Sequence, residues 1–318
     1  MVETVSASEE KAEIVGYDVQ AILPSNQISS ENTFFDLRVS PEMNQQIFIQ
    51  INNTSDEVSE FQISINPAYT NDQGFIDYTA TSQDRTLDDQ FDIRKLAEVE
   101  SQVTIPAQTS QKIPIDLKMP SKEFKGQVLG GIQVVKILPE SEKAQILNSY
   151  SYTVGLKLTE SDEEVERKLV LESIQTSILH GKISLIAKLE NPVRDALGHL
   201  VYNVKIIDVK SNEIIQSVTF DKNMQFAPMS IYPFLLELDQ EKITAGEFIL
   251  QLDIADAKNN EWRFDERFSL SNRQIASINP TIIDEIFQSK FSWSYIILGV
   301  GILVVGITLA LKIRRGKK

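Results

Sequence analysis

Short runs in which hydrophobic and polar residues alternate fill most of the chain, and turn-forming residues separate them. Ile47, Ile49 and Ile51 fall on one face of one such run, and Phe61 and Ile63 begin the next. A period of two is typical of a strand that buries one face. Short strands at roughly 8–12 residue spacing, with turns between them, favour β-sandwiches over alternating strands and helices. The pattern therefore predicts an all-β fold.

The strands predicted in this way fall into two groups. Those of the first half are 17–23, 33–39, 46–51, 61–65, 75–78, 103–105, 113–117, 127–137 and 149–158. Those of the second half are 168–174, 183–189, 201–209, 214–220, 231–238, 247–254 and 262–270. Residues 79–101 are polar and acidic with apolar residues at roughly helical intervals, which predicts a long crossover with one helical turn.

A charged run over residues 160–167 separates the two groups. We therefore expect one β-sandwich over residues 16–158 and a second over residues 159–275. Residues 1–15 are polar and acidic, which is typical of a disordered leader. Residues 276–290 form a short stalk, either a plain spacer or a helix that lies on a membrane surface.

Residues 291–311 include no charged side chain, and the basic segment 312–318 follows directly. A stretch of about 20 apolar residues is long enough to cross a bilayer as a helix. Trp293 and Tyr295 stand at its start, where amphipathic rings favour the interface, and basic residues tend to stay on the cytoplasmic side. We expect a single-pass protein of the cell membrane, with the N-terminal part extracellular and a cytoplasmic C-terminus; the alternative is a buried helix. No L-P-x-T-G motif precedes the stretch, so we expect the anchor to be retained.

The charge balance narrows the choice of partners. Five of the 31 basic residues lie in the tail, which leaves 26 against 45 acidic residues outside it, a net charge of −19. Nucleic-acid binding requires a basic face, so we expect no nucleic-acid partner. The chain has no cysteine and therefore no disulfide bonds. Residues 1–15 lack the apolar region of an export signal, and we infer that a signal peptide has been removed from this sequence or was left out of it.

Motifs of catalysis are not evident. The chain has only two histidines, and neither belongs to a metal-ligand motif, so we expect no cofactor and no metal. Carboxylates are plentiful, and a pair that hydrolyses glycosidic bonds stays an open alternative. The nearest cluster consists of Asp72, Asp77, Asp88 and Asp89; solvated loop acids are the simpler interpretation, and calcium binding is a minor one.

The loop from Asn71 to Tyr78 is the first candidate for ligand binding. Asn71 and Asp77 offer groups that bind hydroxyls and amides, and Tyr78 offers a ring that stacks on a sugar. The alternative is that Asn71 and Gly74 build a hairpin and Tyr78 belongs to the core.

Five further residues are candidates for ligand binding. Gly130 and Gly131 lie inside a predicted strand, where a glycine pair marks a bulge, tight packing or the approach of a ligand backbone. Asn26 and Gln27 follow a proline at a strand end, and the alternative to ligand contact is loop capping. Asn191 precedes a proline, and the alternative there is a turn residue.

Several segments resemble the WxL-interacting proteins, a family of Gram-positive surface proteins. The first half carries ILPSNQI (22–28), FFDLRV (34–39), INNTSDE (51–57), AYTNDQGFIDY (68–78) and KMPSKEFKGQVLGGI (118–132). The second half carries AKLENP (187–192), NMQFAPMSIYPF (223–234), AGEF (245–248) and Trp262, Phe264 and Phe268 in a W-x-F-x-x-x-F pattern. Two features depart from the family pattern: the signal peptide is missing, and Met229 stands where an asparagine is expected.

The resemblance implies two tandem immunoglobulin-like β-sandwich domains followed by the transmembrane helix. It also implies that the first domain binds peptidoglycan, that the second binds host or partner proteins, and that WxL-domain surface proteins are partners. We therefore expect a binding protein without enzymatic activity, with peptidoglycan, a WxL protein and host matrix proteins as candidate partners. The alternatives are a carboxylate-dependent cell-wall hydrolase and a host-matrix adhesin that has no affinity for the wall.

Overall fold

A computed structural model of the chain describes residues 16–79, 85–87, 90–138 and 150–278. Elements are numbered along the chain. Those of the first half are β1 (Tyr17–Ile22), β2 (Phe35–Arg38), β3 (Asn44–Asn53), β4 (Ser59–Pro67), β5 (Tyr69–Thr70), β6 (Ile76–Asp77), α1 (Ile93–Leu96), β7 (Ala97–Val99), β8 (Gln102–Ile105), β9 (Thr109–Lys118), β10 (Gln127–Ile137) and β11 (Ser151–Thr159). Those of the second half are β12 (Val170–Leu179), β13 (Lys182–Asn191), β14 (Leu197–Asp208), β15 (Ile214–Phe226), β16 (Ser230–Glu237), β17 (Gly246–Ala255), β18 (Glu261–Leu270) and α2 (Asn272–Ile278).

Two sheets make up the body of the first half. One has the order β1-β3-β9-β7, and the other has the order β2-β11-β10-β4-β8. All neighbours are antiparallel except β2, which runs parallel to β11. Strands β5 and β6 form a separate hairpin. The alternating apolar residues of both sheets meet in one buried cluster, so the first half is a β-sandwich.

Tyr17 joins the two sheets of the first half. Its ring lies 5.0 Å from the ring of Phe61 in the opposite sheet. Its hydroxyl donates to the carbonyl oxygens of Val134 (3.2 Å) and Tyr150 (2.9 Å). Because a buried polar group is costly unless it is hydrogen-bonded, these bonds let a phenol lie in the core. Burial raises the pKa of Tyr17 to about 12.

The second half repeats the layered arrangement with different strands. Sheet β12-β13-β16 packs on sheet β15-β14-β17-β18 through a second buried cluster. Tyr202 of one sheet stacks on Phe234 of the other, with 5.4 Å between the ring centroids. Each half therefore has its own core.

The all-β prediction is confirmed, and every strand predicted for the second half is present. The predicted helical turn within residues 79–101 is α1, where the Asp92 carboxylate accepts from the N–H of Arg94 as an N-cap. The same interval also contains β7, which the sequence pattern did not predict. Gly130 and Gly131 cause no bulge, because β10 keeps an unbroken register with both of its neighbours.

The described residues end at residue 278, within α2 and just inside the predicted stalk 276–290. The predicted leader 1–15, membrane span 291–311 and tail 312–318 lie outside them. No helix within the described part of the chain is long and apolar enough to cross a membrane.

The two halves are docked through backbone hydrogen bonds. Ile231 N–H donates to the carbonyl of Arg85 (2.7 Å), and Leu87 N–H donates to the carbonyl of Met229 (2.9 Å). Residues 85–87 of the first half thus pair antiparallel with the start of β16, an edge strand of the second half. A second contact lies nearby, where the guanidinium of Arg194 stands over the ring of Phe91 at 4.7 Å. We call this contact region the interface between the halves.

Candidate functional site

A groove of about 760 Å³ lies on the first half, between β1 and β11. Strand β1 and Leu23 form one wall, Thr153 to Gly155 of β11 form the other, and the loop from Ser30 to Phe34 closes one end. Tyr78 also lines it. The volume falls in the range of small-ligand sites, roughly 300–1,000 Å³. We call it the β1–β11 groove.

Two glycines let aromatic side chains lie against the sheet at this groove. Gly131 and Gly155 face each other across the β10–β11 pair. A Cβ atom on Gly131 would lie 2.5 Å from the Cβ of Tyr78, and one on Gly155 would lie 3.4 Å from the Cβ of Phe34. The first position therefore requires glycine. Phe34 is 37% exposed, so part of its surface faces solvent beside the cleft.

Polar residues hold Tyr78 over the sheet. Asn66 donates to the carbonyl of Tyr78 (3.0 Å) and to Gln133 Oε1 (3.2 Å). The carboxylate of Asp77 accepts from the N–H (2.9 Å) and the hydroxyl (3.0 Å) of Thr79. Burial alone would raise the pKa of Asp77, but the hydrogen bonds from Thr79 and Asn71 lower it below its ordinary value. Asp77 is therefore ionised at neutral pH, and its carboxylate holds Thr79, the residue that follows Tyr78.

The phenol of Tyr78 stays protonated at neutral pH. Burial raises its pKa, and the charge of Asp77 raises it further. A protonated phenol can both donate and accept a hydrogen bond. Tyr78 therefore offers the groove an aromatic face together with a polar group.

Gln27 shapes the loop that carries Phe34. Its side-chain amide donates to the carbonyls of Ser29 (3.0 Å) and Phe34 (2.9 Å), and its oxygen accepts from the N–H of Asp36 (3.1 Å). These three bonds occupy the groups that were predicted to bind ligand. Gln27 thus holds the backbone of the loop that closes one end of the groove.

Asn26 has a similar role one position earlier. Its amide donates to the carbonyl of Arg38 (2.8 Å) and to Gln45 Oε1 (2.9 Å), and its oxygen accepts from Gln45 Nε2 (2.7 Å). The side chain is therefore bonded within the protein, as expected for a loop cap.

The tip of the Asn71–Tyr78 loop points away from the groove. Asn71 Oδ1 accepts from the N–H groups of Gln73 (3.0 Å) and Phe75 (3.1 Å) and so builds the β5–β6 hairpin. The carbonyl of Gly74 accepts from the N–H of Gln225 in the second half (2.7 Å). The structure therefore separates Asn71 from Tyr78: one belongs to the interface between the halves, the other to the groove.

Gly130 and Asn191 lie in packed surroundings. A Cβ atom on Gly130 would come within 2.8 Å of Ile93, so this glycine makes room for α1 on the core side of β10. Asn191 is buried, and its amide donates to the carbonyls of Asp195 (2.8 Å) and Ala227 (3.0 Å). Of the eight candidate binding residues, Gly131 and Tyr78 lie together at the groove.

The carboxylate cluster does not form a metal site in the part of the chain that is described. No group of three or more metal-ligating side chains occurs there. Asp72 forms an ion pair with Arg85 (2.6 Å). Asp88 and Asp89 lie outside the described residues.

The sequence analysis missed the residues that complete the groove. These are chiefly Phe34, Thr153, Gly155 and the polar residues Ser30 to Thr33. One signal was present, because Gly155 falls in the predicted strand 149–158, which follows the predicted strand 127–137 that carries Gly131. The register that places the two glycines opposite each other could not be predicted from the sequence.

Comparison with known proteins gives both weak and strong similarities. Among solved structures, similar chains come from the chaperone–tip adhesin complex of CFA/I fimbriae (11% identity, TM-score 0.31, 79% of this chain and 97% of that chain) and from the CsuC–CsuE pre-assembly complex of Acinetobacter baumannii (10%, 0.32, 69% and 90%). A PapD-like domain of human CEP192 has 11% identity and a TM-score of 0.29, over 52% of this chain and 95% of that chain. These likenesses are too weak to transfer any property. A comparison with curated protein sequences gives no match.

Two family models match most of the sequence. Residues 17–136 match the model described as the WxL Interacting Protein peptidoglycan binding domain, and residues 141–280 match the model of the WxL Interacting Protein host binding domain. The order of the two domains agrees with the order of the two sandwiches. The chain therefore belongs to the WxL-interacting protein family.

Proposed function

We propose that this chain is a non-enzymatic cell-surface protein whose first half binds peptidoglycan in the β1–β11 groove. Its second half would engage a WxL-domain protein or a host protein, and the segment 291–311 would anchor both immunoglobulin-like sandwiches to the cell membrane. The observation that carries the proposal is the groove, an aromatic-sided cleft of ligand size on the half that matches a peptidoglycan-binding family.

The groove suits a ligand that has both sugar and peptide groups. The exposed ring of Phe34 can pack against the apolar face of a sugar ring. The loop from Ser30 to Thr33 and Gln20 offer hydroxyl and amide groups, which bond to sugar hydroxyls and to peptide groups. Polar and apolar residues line the groove in nearly equal numbers, which suits a ligand that carries both kinds of group.

The groove favours binding over hydrolysis. Glu31 is the one acidic residue among the described residues that line it. Glycoside hydrolysis by the common mechanism requires two carboxyl groups, one on each side of the scissile bond. A single exposed carboxylate does not meet this requirement.

The test is a pull-down of the full chain, in mild detergent, with purified insoluble murein. We expect Phe34→Ala to lower the affinity about tenfold, which corresponds to about 1.4 kcal/mol of lost ring contact. Ile214→Ala is the matched control, because Ile214 is an exposed apolar residue of the second half (56% exposed) and its loss leaves the groove intact.

Three results would count against the proposal. Wild-type protein that stays in the supernatant would remove peptidoglycan binding and leave a host-matrix adhesin as the alternative. Equal binding by Phe34→Ala and wild type would place the site elsewhere. Soluble fragments released from the murein would favour the hydrolase.

A further inference from the structure

We infer that the β1–β11 groove takes the peptide part of peptidoglycan as an added strand on the free edge of β11. This inference rests on the proposed function, and it specifies which part of the polymer the groove recognises. The sheet of the first half has a gap beside β11 among the described residues. Strand β2 pairs with β11 only over Leu156–Thr159, and it begins at Phe35. Beyond that point the described residues place no strand beside Ser151–Gly155 on the side away from β10.

The direction of the backbone groups in β11 follows from two hydrogen bonds. Val39 N–H donates to the carbonyl of Thr159 on the β2 side of β11. In a strand, residues two apart point their N–H and C=O groups to the same side, so Thr153 and Ser151 point to the β2 side as well. On the other strand, Leu129 O accepts from Ala68 N–H on the β4 side of β10, which leaves the even-numbered residues of β10 to bond with β11. Thr153 therefore presents its N–H and C=O toward the groove.

Unpaired edges of this kind are templates for an extended peptide. The groove follows this edge, because Thr153, Val154 and Gly155 line it. Phe34 packs over Gly155, so the open part of the edge runs from Ser151 to Thr153. The opposite wall is β1, which pairs only with β3 among the described strands and is itself an edge.

Two other sheet edges, β16 and β18, are protected, and this one is not. On β16, Ile231 N–H already bonds to Arg85, and the residue two positions on is Pro233, which has no N–H to offer. The edge strand β18 carries a row of charged residues, Glu261, Arg263, Asp265, Glu266 and Arg267. Ser151, Thr153 and Gly155 offer neither a proline nor a charge. An open edge inside a ligand-sized groove is therefore a binding feature rather than a defect of the fold.

The charge of the groove points to the same ligand. Among the described residues that line the groove, Glu31 is the one charged residue. The stem peptides of peptidoglycan are short, and an uncrosslinked diamino-acid residue in such a peptide has a free amine that would pair with this carboxylate.

The experiment compares three probes by titration against the full chain in detergent. They are a soluble peptidoglycan fragment with its stem peptides, the same glycan after an amidase has removed them, and the free stem peptide. For wild type we expect the peptide-bearing fragment to bind at least tenfold more tightly than the stripped glycan, and the free peptide to bind measurably.

Thr153→Pro tests the edge directly. It removes the outward N–H while the β10 side of the ladder keeps its bonds, so the sheet is expected to stay intact. Binding of the peptide-bearing fragment should fall at least tenfold, and binding of the stripped glycan should not change. Thr153→Val keeps the N–H and the branched shape, and it should bind as wild type does.

Ser151→Pro keeps the test decisive if Thr153→Pro fails to fold, since Ser151 is the first residue of β11, where proline is tolerated, and its N–H lies on the same edge. It should also lower binding of the peptide-bearing fragment about tenfold. Equal affinity for the intact and stripped glycan, or wild-type binding by Thr153→Pro or Ser151→Pro, would overturn the inference and leave peptidoglycan binding in place. Failure of wild type to bind all three probes would instead reject the proposed function itself.

Discussion

The loop from Asn71 to Tyr78 contributes to both the β1–β11 groove and the interface between the halves, yet the two sites are completed in opposite ways. At the tip of the hairpin, Gly74 is covered by Met224, and its carbonyl is bonded to Gln225. At the base, Tyr78 covers Gly131 but leaves a cleft beside it. The glycine is required in both places by a close contact. What differs is whether the neighbouring backbone groups find partners within the chain.

The comparison shows why polar turn residues are poor guides to a binding site. Asn71 and Asp77 have the right chemistry for sugar, but their side chains are bonded to backbone groups of the same segment. Within the described part of the chain, backbone N–H and C=O groups of β11 instead point into the groove without a hydrogen-bond partner. The types of side chain in the sequence do not reveal such backbone groups.

The variant with the largest expected effect disrupts the interface between the halves and leaves the β1–β11 groove unchanged. Gly126 has φ +83°, and a Cβ atom there would lie 2.0 Å from the carbonyl oxygen of Arg194 in the second half. Gly126→Val should destabilise the protein by about 3–5 kcal/mol, through backbone strain and a clash that neither half can relieve. Chemical denaturation should show it, with separate unfolding of the two halves.

Gly181→Val is the control for that variant. Gly181 has a similar φ of +75° but nothing within 4 Å of the added atom. Its cost should be limited to the strain of about 1–2 kcal/mol. If both variants lose the same stability, the contact with Arg194 contributes nothing to docking.

A smaller effect is expected from one buried hydrogen bond at the same interface. The hydroxyl of Thr70, which is fully buried, accepts from the N–H of Ala227 (3.0 Å). Thr70→Val keeps the shape but leaves that N–H without a partner, at a cost of about 1–3 kcal/mol. The midpoint of urea unfolding measures the loss, and Thr104→Val on the exposed side of β8 should leave it unchanged.

Alkaline pH should also act on the interface. Burial raises the pKa of Tyr232 to about 12, and the charge of Asp72 adds to the shift while Arg85 opposes it. Because the folded pKa lies above the unfolded value near 10, the stabilisation is complete below pH 10 and is lost as pH rises toward 12. The loss for this residue is on the order of 2 kcal/mol.

Tyr232→Phe should remove that part of the pH dependence in thermal unfolding between pH 9 and pH 12. Tyr150→Phe, at a tyrosine that is 47% exposed, should not. An unchanged alkaline profile for Tyr232→Phe would mean that the phenol is not buried against the first half.

The smallest expected effect is a loss of affinity at the β1–β11 groove. Gln27→Ala removes the three bonds that shape the loop before Phe34. Affinity for murein should fall only a few-fold, about 1 kcal/mol, because Phe34 stays in place but is held less firmly. Gln62→Ala, on the exposed side of β4, is the control; equal affinities for both variants would show that the loop needs no such support.

The sequence pattern was sufficient for the strands because their signal is local. Ile47, Ile49 and Ile51 are buried on one face as their alternation predicted. The helical turn at α1 was also readable from Ile93 and Leu96. Strand β7 was not, because three residues are too few to show a period.

The groove could not be predicted because it depends on pairings between distant residues. Phe34 reaches it only because β2 pairs in parallel with β11, which aligns Phe35 with Leu156. Gly131 and Gly155 face each other through a register that crosses residues 139–149, whose length sets no turn type. The hairpin tip meets Gln225, about 150 residues later in the chain, and no local rule anticipates that contact.

The position of β11 has a consequence for how this architecture can be exchanged between proteins. Residues 151–159 fall within the segment that matches the second family domain, yet they complete the sheet of the first sandwich by pairing with both β10 and β2. A recombination event at the boundary between the two matches, near residue 138, would therefore cut through a folded unit. The first module would lose a central strand, and the second would carry Leu156 and Leu158 with no core to bury them. For this chain, the unit that could be exchanged without cutting a sheet is the pair of domains or a segment that ends after residue 159.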